Sequence, residues 1–154
     1  LGADVPICLT GKALNMKGIG EIQIPISFGM PLYLVLVNPG VTVPTADIFR
    51  ARALREAPYS LARTLPDEVG SLSQLIDLLQ ESGNDLEFDA REAKPEITSA
   101  LLQIGGSEKC LFHGMSGSGA TCFGIFPTPQ EAEEAVVDIS DKFPDWWIKS
   151  VVAR

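Results

Sequence analysis

Six consecutive apolar residues, Leu32-Tyr33-Leu34-Val35-Leu36-Val37, restrict this chain's fold more than any other feature. The run is too short for a membrane helix, which needs roughly 20 residues. As a strand it has no polar face, so it must be covered on both sides. Asn38-Pro39-Gly40 ends it as a turn. A chain of 154 residues with 45% hydrophobic content has the material for such a core.

Downstream of this strand the patterning is mostly helical. Pro44-Thr45 opens a helix through Ala53, with Thr45 as its expected N-cap. Residues 55–70 carry Pro, Gly and mixed charges, and most of them read as loop. Ser71-Leu72-Ser73-Gln74 fits a capping box, and Gly83 closes the helix it starts. Asn84-Asp85-Leu86-Glu87 looks like a further cap, leading towards Ala93. Pro95 restarts a helix at its first turn, with Ile97, Leu101 and Ile104 inward and Gly105-Gly106 as the stop.

Cys110–His113 and Thr121–Phe126 read as strands, joined by the glycine-rich stretch 114–120. Thr128-Pro129-Gln130-Glu131 is a capping box with Pro in first place, and Ala132, Ala135, Val136, Ile139 and Phe143 follow at helical spacing. Trp147–Val152 is the last strand. The order from Pro31 is strand, helices, strand, strand, helix, strand. That is the β-α-β-β-α-β pattern of an α+β, ferredoxin-like sandwich, with extra helices in its first crossover. Residues 6–26 look like two or three short strands, and residues 1–26 as a whole do not fit inside this unit. They read as the tail of a preceding domain. The chain begins with Leu1 rather than Met, so an upstream portion is expected, and its opening does not read as a signal peptide.

A net charge of −8 argues against a broad phosphate-tracking surface for nucleic acid. It leaves room for a nucleotide in a small enclosed site. Three cysteines, Cys8, Cys110 and Cys122, lie in apolar strand-like settings without a C-x-x-C spacing. They read as buried thiols rather than as a disulfide framework or zinc site.

Few residues offer chemistry. Gly114-Met115-Ser116-Gly117-Ser118-Gly119-Ala120 can turn tightly and present backbone N–H groups to an anion. No Lys-Ser/Thr pair follows it and a strand comes next, so neither a Walker A loop nor a dinucleotide fingerprint fits. Taken alone it reads equally as a hairpin turn or as a ligand loop. Asp4, before Val5-Pro6, reads locally as a turn or cap residue. Phe49 falls on an apolar helix face. His113 is the only histidine and suits a structural place at a strand end. Trp146-Trp147 suits core and domain-edge packing, and Glu131–Glu134 complements a helix dipole.

In combination and in order, five segments resemble the 4-diphosphocytidyl-2-C-methyl-D-erythritol kinases of the GHMP superfamily. They are Leu1–Pro6, Gly18–Glu21, Asn38–Phe49, Asn84–Glu87 and Met115–Phe123, the last being the third GHMP-kinase motif. The resemblance implies a remnant of an N-terminal kinase domain over residues 1–30 and a C-terminal, substrate-side domain over 31–154. It implies ATP as co-substrate, Mg²⁺, and a small-molecule acceptor, the 2-hydroxyl of 4-(cytidine 5′-diphospho)-2-C-methyl-D-erythritol in non-mevalonate isoprenoid synthesis. Asp4 would match the general base, Phe49 the ring that stacks on cytosine, and Thr45 a polar contact to the methylerythritol. Gly117, Ser118 and Gly119 would belong to the active-site glycine loop.

The family's phosphate loop and catalytic lysine lie in an N-terminal ATP-binding portion absent from these residues. The 154 residues alone are therefore expected to bind no cofactor and to be inactive. A cytoplasmic location follows by resemblance, or a plastid one in a plant, with no nucleic-acid or membrane partner. Two alternatives are another GHMP kinase with a different alcohol, and a ferredoxin-like small-molecule-binding or dimerising module.

Overall fold

The computed structural model describes residues 13–18, 22–61 and 64–153. Asp4, Cys8 and most of the Gly18–Glu21 segment lie outside them. The elements in chain order are β1 (Leu14–Lys17), β2 (Ile22–Pro25), β3 (Ser27–Phe28), β4 (Leu32–Asn38), α1 (Thr45–Leu54), β5 (Glu68–Val69), α2 (Leu72–Ser82), α3 (Glu87–Ala93), α4 (Pro95–Gly105), β6 (Phe112–Met115), β7 (Cys122–Phe126), α5 (Pro129–Lys142) and β8 (Trp147–Ala153).

The main sheet runs β6-β7-β4-β8, every neighbouring pair antiparallel. The first strand of the β-α-β-β-α-β unit therefore lies between its third and fourth, as the ferredoxin-like pattern requires. Strand β4 is covered on both faces. Val35 and Val37 are fully buried in a core with Ile97, Leu101 and Ile104 of α4 and Ala135 and Ile139 of α5. Leu32 and Leu34 pack into a second core with Leu75 of α2, Ile125, Phe28 and Val69. The uninterrupted apolar run thus has an apolar neighbour on each side. Each fully buried Ile of α4 contributes about 1.5–3 kcal/mol to this arrangement.

Helix ends follow their local chemistry with some corrections. Ser71 and Thr128 cap α2 and α5 by accepting from the N–H groups of Gln74 and Glu131. Thr45 is not an N-cap: Pro44 occupies that place and Thr45 is the first helical residue. Asn84 does not cap α3 directly. Its Oδ1 accepts from Leu86 N at 2.9 Å and shapes the turn ahead of the helix. Gly106 ends α4 in ordinary right-handed geometry.

Two strand expectations shift. Residues 68–69 form β5 rather than loop, paired in parallel with β3. Strand β6 begins at Phe112 instead of Cys110 and runs two residues into the glycine-rich stretch. Strands β1 and β2 form a separate antiparallel hairpin. Trp146 stacks on Phe143 with centroids 4.0 Å apart, whereas Trp147 is half exposed.

Candidate functional site

The glycine-rich turn between β6 and β7 is held from three directions. Inside it, Ser116 N donates to Thr121 O at 2.9 Å and Gly119 N to Ser116 O at 3.0 Å. Gly117 and Gly119 take positive φ, 56° and 89°, which explains glycine at both places. A Cβ on Gly119 would also come within 3.0 Å of Met115 Sδ. The N–H groups of Gly117 and Ser118 have no acceptor among the described residues.

The first support comes from β4. Asn38 Nδ2 donates to Thr121 Oγ1 at 3.0 Å, while Asn38 Oδ1 accepts from Gly40 N at 2.9 Å. One side chain thereby shapes the Asn-Pro-Gly turn and ties it to the end of the glycine loop. Gly40 lies at φ 78° in that turn. The second support is the first turn of α1, where Thr45 Oγ1 and Ser118 Oγ are hydrogen-bonded at 2.8 Å.

Asn84 supplies the third support. Its Nδ2 donates to Met115 O and Gly117 O, both at 2.9 Å. Both amide hydrogens and the amide oxygen are engaged. A cleft of about 500 Å³ opens here, with Asn84, Leu79, Phe112, Phe123, Asp85 and Ser116 in its lining.

Of the residues expected to form a site, Thr45, Gly117, Ser118 and Gly119 come together here. Phe49 stands one helical turn beyond Thr45 on α1. Its ring is 46% exposed rather than packed into the core. Asp4 lies outside the described residues. Asn38 and Asn84, which in sequence look like turn and cap residues, prove to be loop supports.

Three groups in the elements around the loop, Asp85, Asp89 and Cys122, have shifted pKa values. Hydrogen bonds from the Ser60 hydroxyl and N–H hold the Asp85 carboxyl below its ordinary value, with Arg52 adding to the effect. The Arg55 guanidinium does the same for Asp89. Burial pushes the Cys122 thiol up to about 12, and the Glu87 carboxylate adds to this. That keeps Cys122 a thiol at neutral pH and makes it a packing residue. His113 lies over Gly105 of α4, where an added Cβ would sit 2.6 Å from the imidazole. The close approach fits the structural place expected of this histidine.

Among the described residues no three His, Cys, Asp or Glu side chains converge as a metal cage. No described helix is long and apolar enough to cross a membrane.

Comparison with known proteins runs through the same residues. The family model described as "GHMP kinases C terminal" matches residues 60–145. A 4-diphosphocytidyl-2-C-methyl-D-erythritol kinase of Dinoroseobacter shibae is 46% identical over all of this chain and 53% of its own length. One from Cereibacter sphaeroides is 43% identical over 97% of the chain and 53% of its own length. The chain thus spans about half the length of these relatives. A crystal structure of 4-(cytidine 5′-diphospho)-2C-methyl-D-erythritol kinase superposes with TM-score 0.73 at 25% identity, over 99% of this chain and 54% of that one. A homoserine kinase from Cytophaga hutchinsonii shares the fold, with TM-score 0.65 at 16% identity over 97% of this chain and 50% of its own. The family match takes in more than half of the chain, including both Asn84 and the glycine loop that Asn84 clamps, so the chain belongs to the GHMP kinases through their C-terminal domain.

Proposed function

We propose that this chain forms the acceptor side of a kinase that transfers the γ-phosphoryl group of ATP to the 2-hydroxyl of 4-(cytidine 5′-diphospho)-2-C-methyl-D-erythritol. The observation that carries the reading is the Thr45–Ser118 hydrogen bond. It joins the segment read as substrate-side to the segment read as the GHMP loop. The names of the relatives at 43–46% identity support the choice of acceptor.

Each wall has a role in this reading. Phe49, exposed on α1, offers a flat apolar face to cytosine. Thr45 fixes the polar part of the acceptor next to the loop. The Gly117 and Ser118 amides, without acceptors among the described residues, offer donors to phosphate oxygens. Asp4 takes the hydroxyl proton as the acceptor oxygen bonds to the γ-phosphorus and the bond to the bridging oxygen of ADP breaks. Mg²⁺ in such reactions is held largely by phosphate oxygens and water. Among the described residues no His, Cys, Asp or Glu cluster forms a cage for it. The protein would work in the cytoplasm, or in a plastid if it comes from a plant.

The test is a chimera in which this chain replaces its matching half of the Dinoroseobacter kinase. ADP release should depend on the cytidine acceptor and not on homoserine or mevalonate. Asp4→Asn in that chimera should slow turnover by roughly 10²–10⁴. Turnover on homoserine or mevalonate with none on the cytidine compound would overturn the reading. Near-normal turnover of Asp4→Asn would remove Asp4 from the mechanism.

A further inference from the structure

Arg52 in the last turn of α1 and Arg55 just past its end meet two aspartates, Asp85 in the turn ahead of α3 and Asp89 within it. Arg55 Nε and Nη2 donate to Asp89 Oδ1 and Oδ2, both at 2.9 Å, a bidentate fork. Arg52 Nη2 donates to Pro58 O at 2.7 Å and lies 3.4 Å from Asp85 Oδ2. Arg52 Nη1 donates to the main-chain oxygen of Asp85. Its guanidinium carbon sits 4.4 Å from the centroid of Tyr59.

Arg52 is 3% exposed, and its Nε has no partner among the described residues. Burying a cation in this way is costly, and an apolar side chain of similar volume is often at least as stabilising. What the guanidinium adds is direction. It fixes the carbonyl and carboxylate of Asp85 at once, and Asp85 is bonded to Asn84, whose carboxamide grips the glycine loop.

The contacts close a ring. Arg52 holds Asp85, and Asn84 holds Gly117 O. Ser118 meets Thr45, and two turns of α1, about 10 Å at 1.5 Å per residue, lead back to Arg52. A ring of this kind ties the position of α1 to the shape of the loop.

We propose that Arg52 is a positioning residue, acting through Asp85 and Asn84 to hold the glycine loop in one frame with the first turns of α1. Its effect on turnover rests on the function proposed above. Its effect on the loop does not.

The experiment separates the two. In the 154-residue chain, the amide resonances of Gly117, Ser118 and Gly119 are recorded for the unsubstituted protein, Arg52→Met, Asn84→Ala and the double variant. Arg52→Met should shift these resonances although Arg52 bonds to none of the three residues. In the Asn84→Ala background the same change should add little, because the route is already cut. Arg52→Lys should not restore the pattern, since one ammonium cannot replace the two guanidinium nitrogens that reach Asp85 O and Pro58 O. Arg50→Met, an exposed change on the same helix, should leave the loop alone.

In the chimeric kinase Arg52→Met should lower kcat about tenfold or more and leave KM for the cytidine acceptor within about twofold, the pattern of lost alignment. A folded Arg52→Met protein with unshifted loop resonances, or shifts that simply add to those of Asn84→Ala, would overturn the proposal. If Arg52→Met does not fold, Asp85→Asn takes its place: shifted loop resonances support the coupling, and unshifted or additive ones overturn it. Shifted resonances alongside a chimera inactive on the cytidine acceptor would uphold the coupling and count against the proposed reaction.

Discussion

Thr45 Oγ1 and Ser118 Oγ lie 2.8 Å apart, although 73 residues separate them in sequence. The bond is exposed, so its worth to folding is small, of order 0.5–1.5 kcal/mol. Its worth to the proposed acceptor site is greater, because it sets where two hydroxyls point. Thr45→Val keeps the shape and removes the hydroxyl. In the chimeric kinase this change should lower kcat/KM for the cytidine acceptor about tenfold, and Ser118→Ala should act similarly. The double variant should lose much less than the product of the two, as residues sharing one bond do. Multiplicative losses would show that the hydroxyls act separately.

Phe49 is 46% exposed, as several large apolar residues of this chain are, which leaves its ring open to a ligand. Phe49→Ala should change unfolding free energy by less than about 0.5 kcal/mol, the ordinary range for surface positions. Binding of the cytidine acceptor to the chimera should weaken by about 1–3 kcal/mol if the ring stacks on the base. ATP affinity should barely move. Calorimetric titration of both ligands checks this, and equal weakening of both would remove the stacking role.

The parts of the fold readable in the sequence were those governed by neighbours a few residues away. Ser71, Thr128 and Pro95 signal helix starts because capping and first-turn preferences are local. Leu32–Val37 announces a doubly covered strand because its six residues share one character. Strand β5 was invisible because its two residues are defined only by pairing with Ser27 and Phe28, about forty positions earlier.

The site divides the same way. Thr45 in a Pro-Thr helix start looks like a cap, and only the arrival of Ser118 gives its hydroxyl another use. Phe49 sits on what reads as an apolar face, yet burial at the helix falls on Ile48 and Arg52 instead. An arginine on a helix reads as solvated, and nothing near Arg52 in sequence reveals Asp85 above it. Asn84 offers the one usable signal, a polar residue between helices in a segment that resembles the kinase family. What it grips could be learned only from the fold.

Gly124 of β7 faces Ile104 of α4 so closely that an added Cβ would lie 2.4 Å from Ile104 Cγ2 and 3.1 Å from Phe126 Cε2. Both neighbours are almost wholly buried and have no open side to move towards. Gly124→Ala should therefore destabilise the chain by about 1–3 kcal/mol, the usual cost of overpacking. Adding Ile104→Ala removes the clashing methyl while opening a cavity of its own. The double variant should be less destabilised than the two single changes summed, as urea unfolding would show. Full additivity would mean that the strand shifts to absorb the extra carbon.

The seam between α1 and α3 makes an acid-dependence prediction with a definite sign. Asp85 and Asp89 are held below their ordinary pKa in the folded chain, by Ser60 and Arg55 respectively. In the unfolded chain both titrate near the usual value of about 3.9. Their contribution is therefore fully present above about pH 4 and is lost as pH falls through the lower folded values. Other carboxylates also titrate in that window, so a fall in stability on acidification is not diagnostic by itself. The informative comparison is with Asp89→Asn. Near neutral pH that variant should be less stable by about 1–3 kcal/mol, because a buried acceptor facing a guanidinium has lost its charge. Below pH 4 the gap should shrink, since the unsubstituted protein is then losing the same charge by protonation. Urea midpoints from pH 6 down to pH 2.5 would trace both curves. Parallel curves across that range would mean that the Arg55–Asp89 fork, despite its 2.9 Å contacts, contributes nothing that depends on the carboxylate's charge.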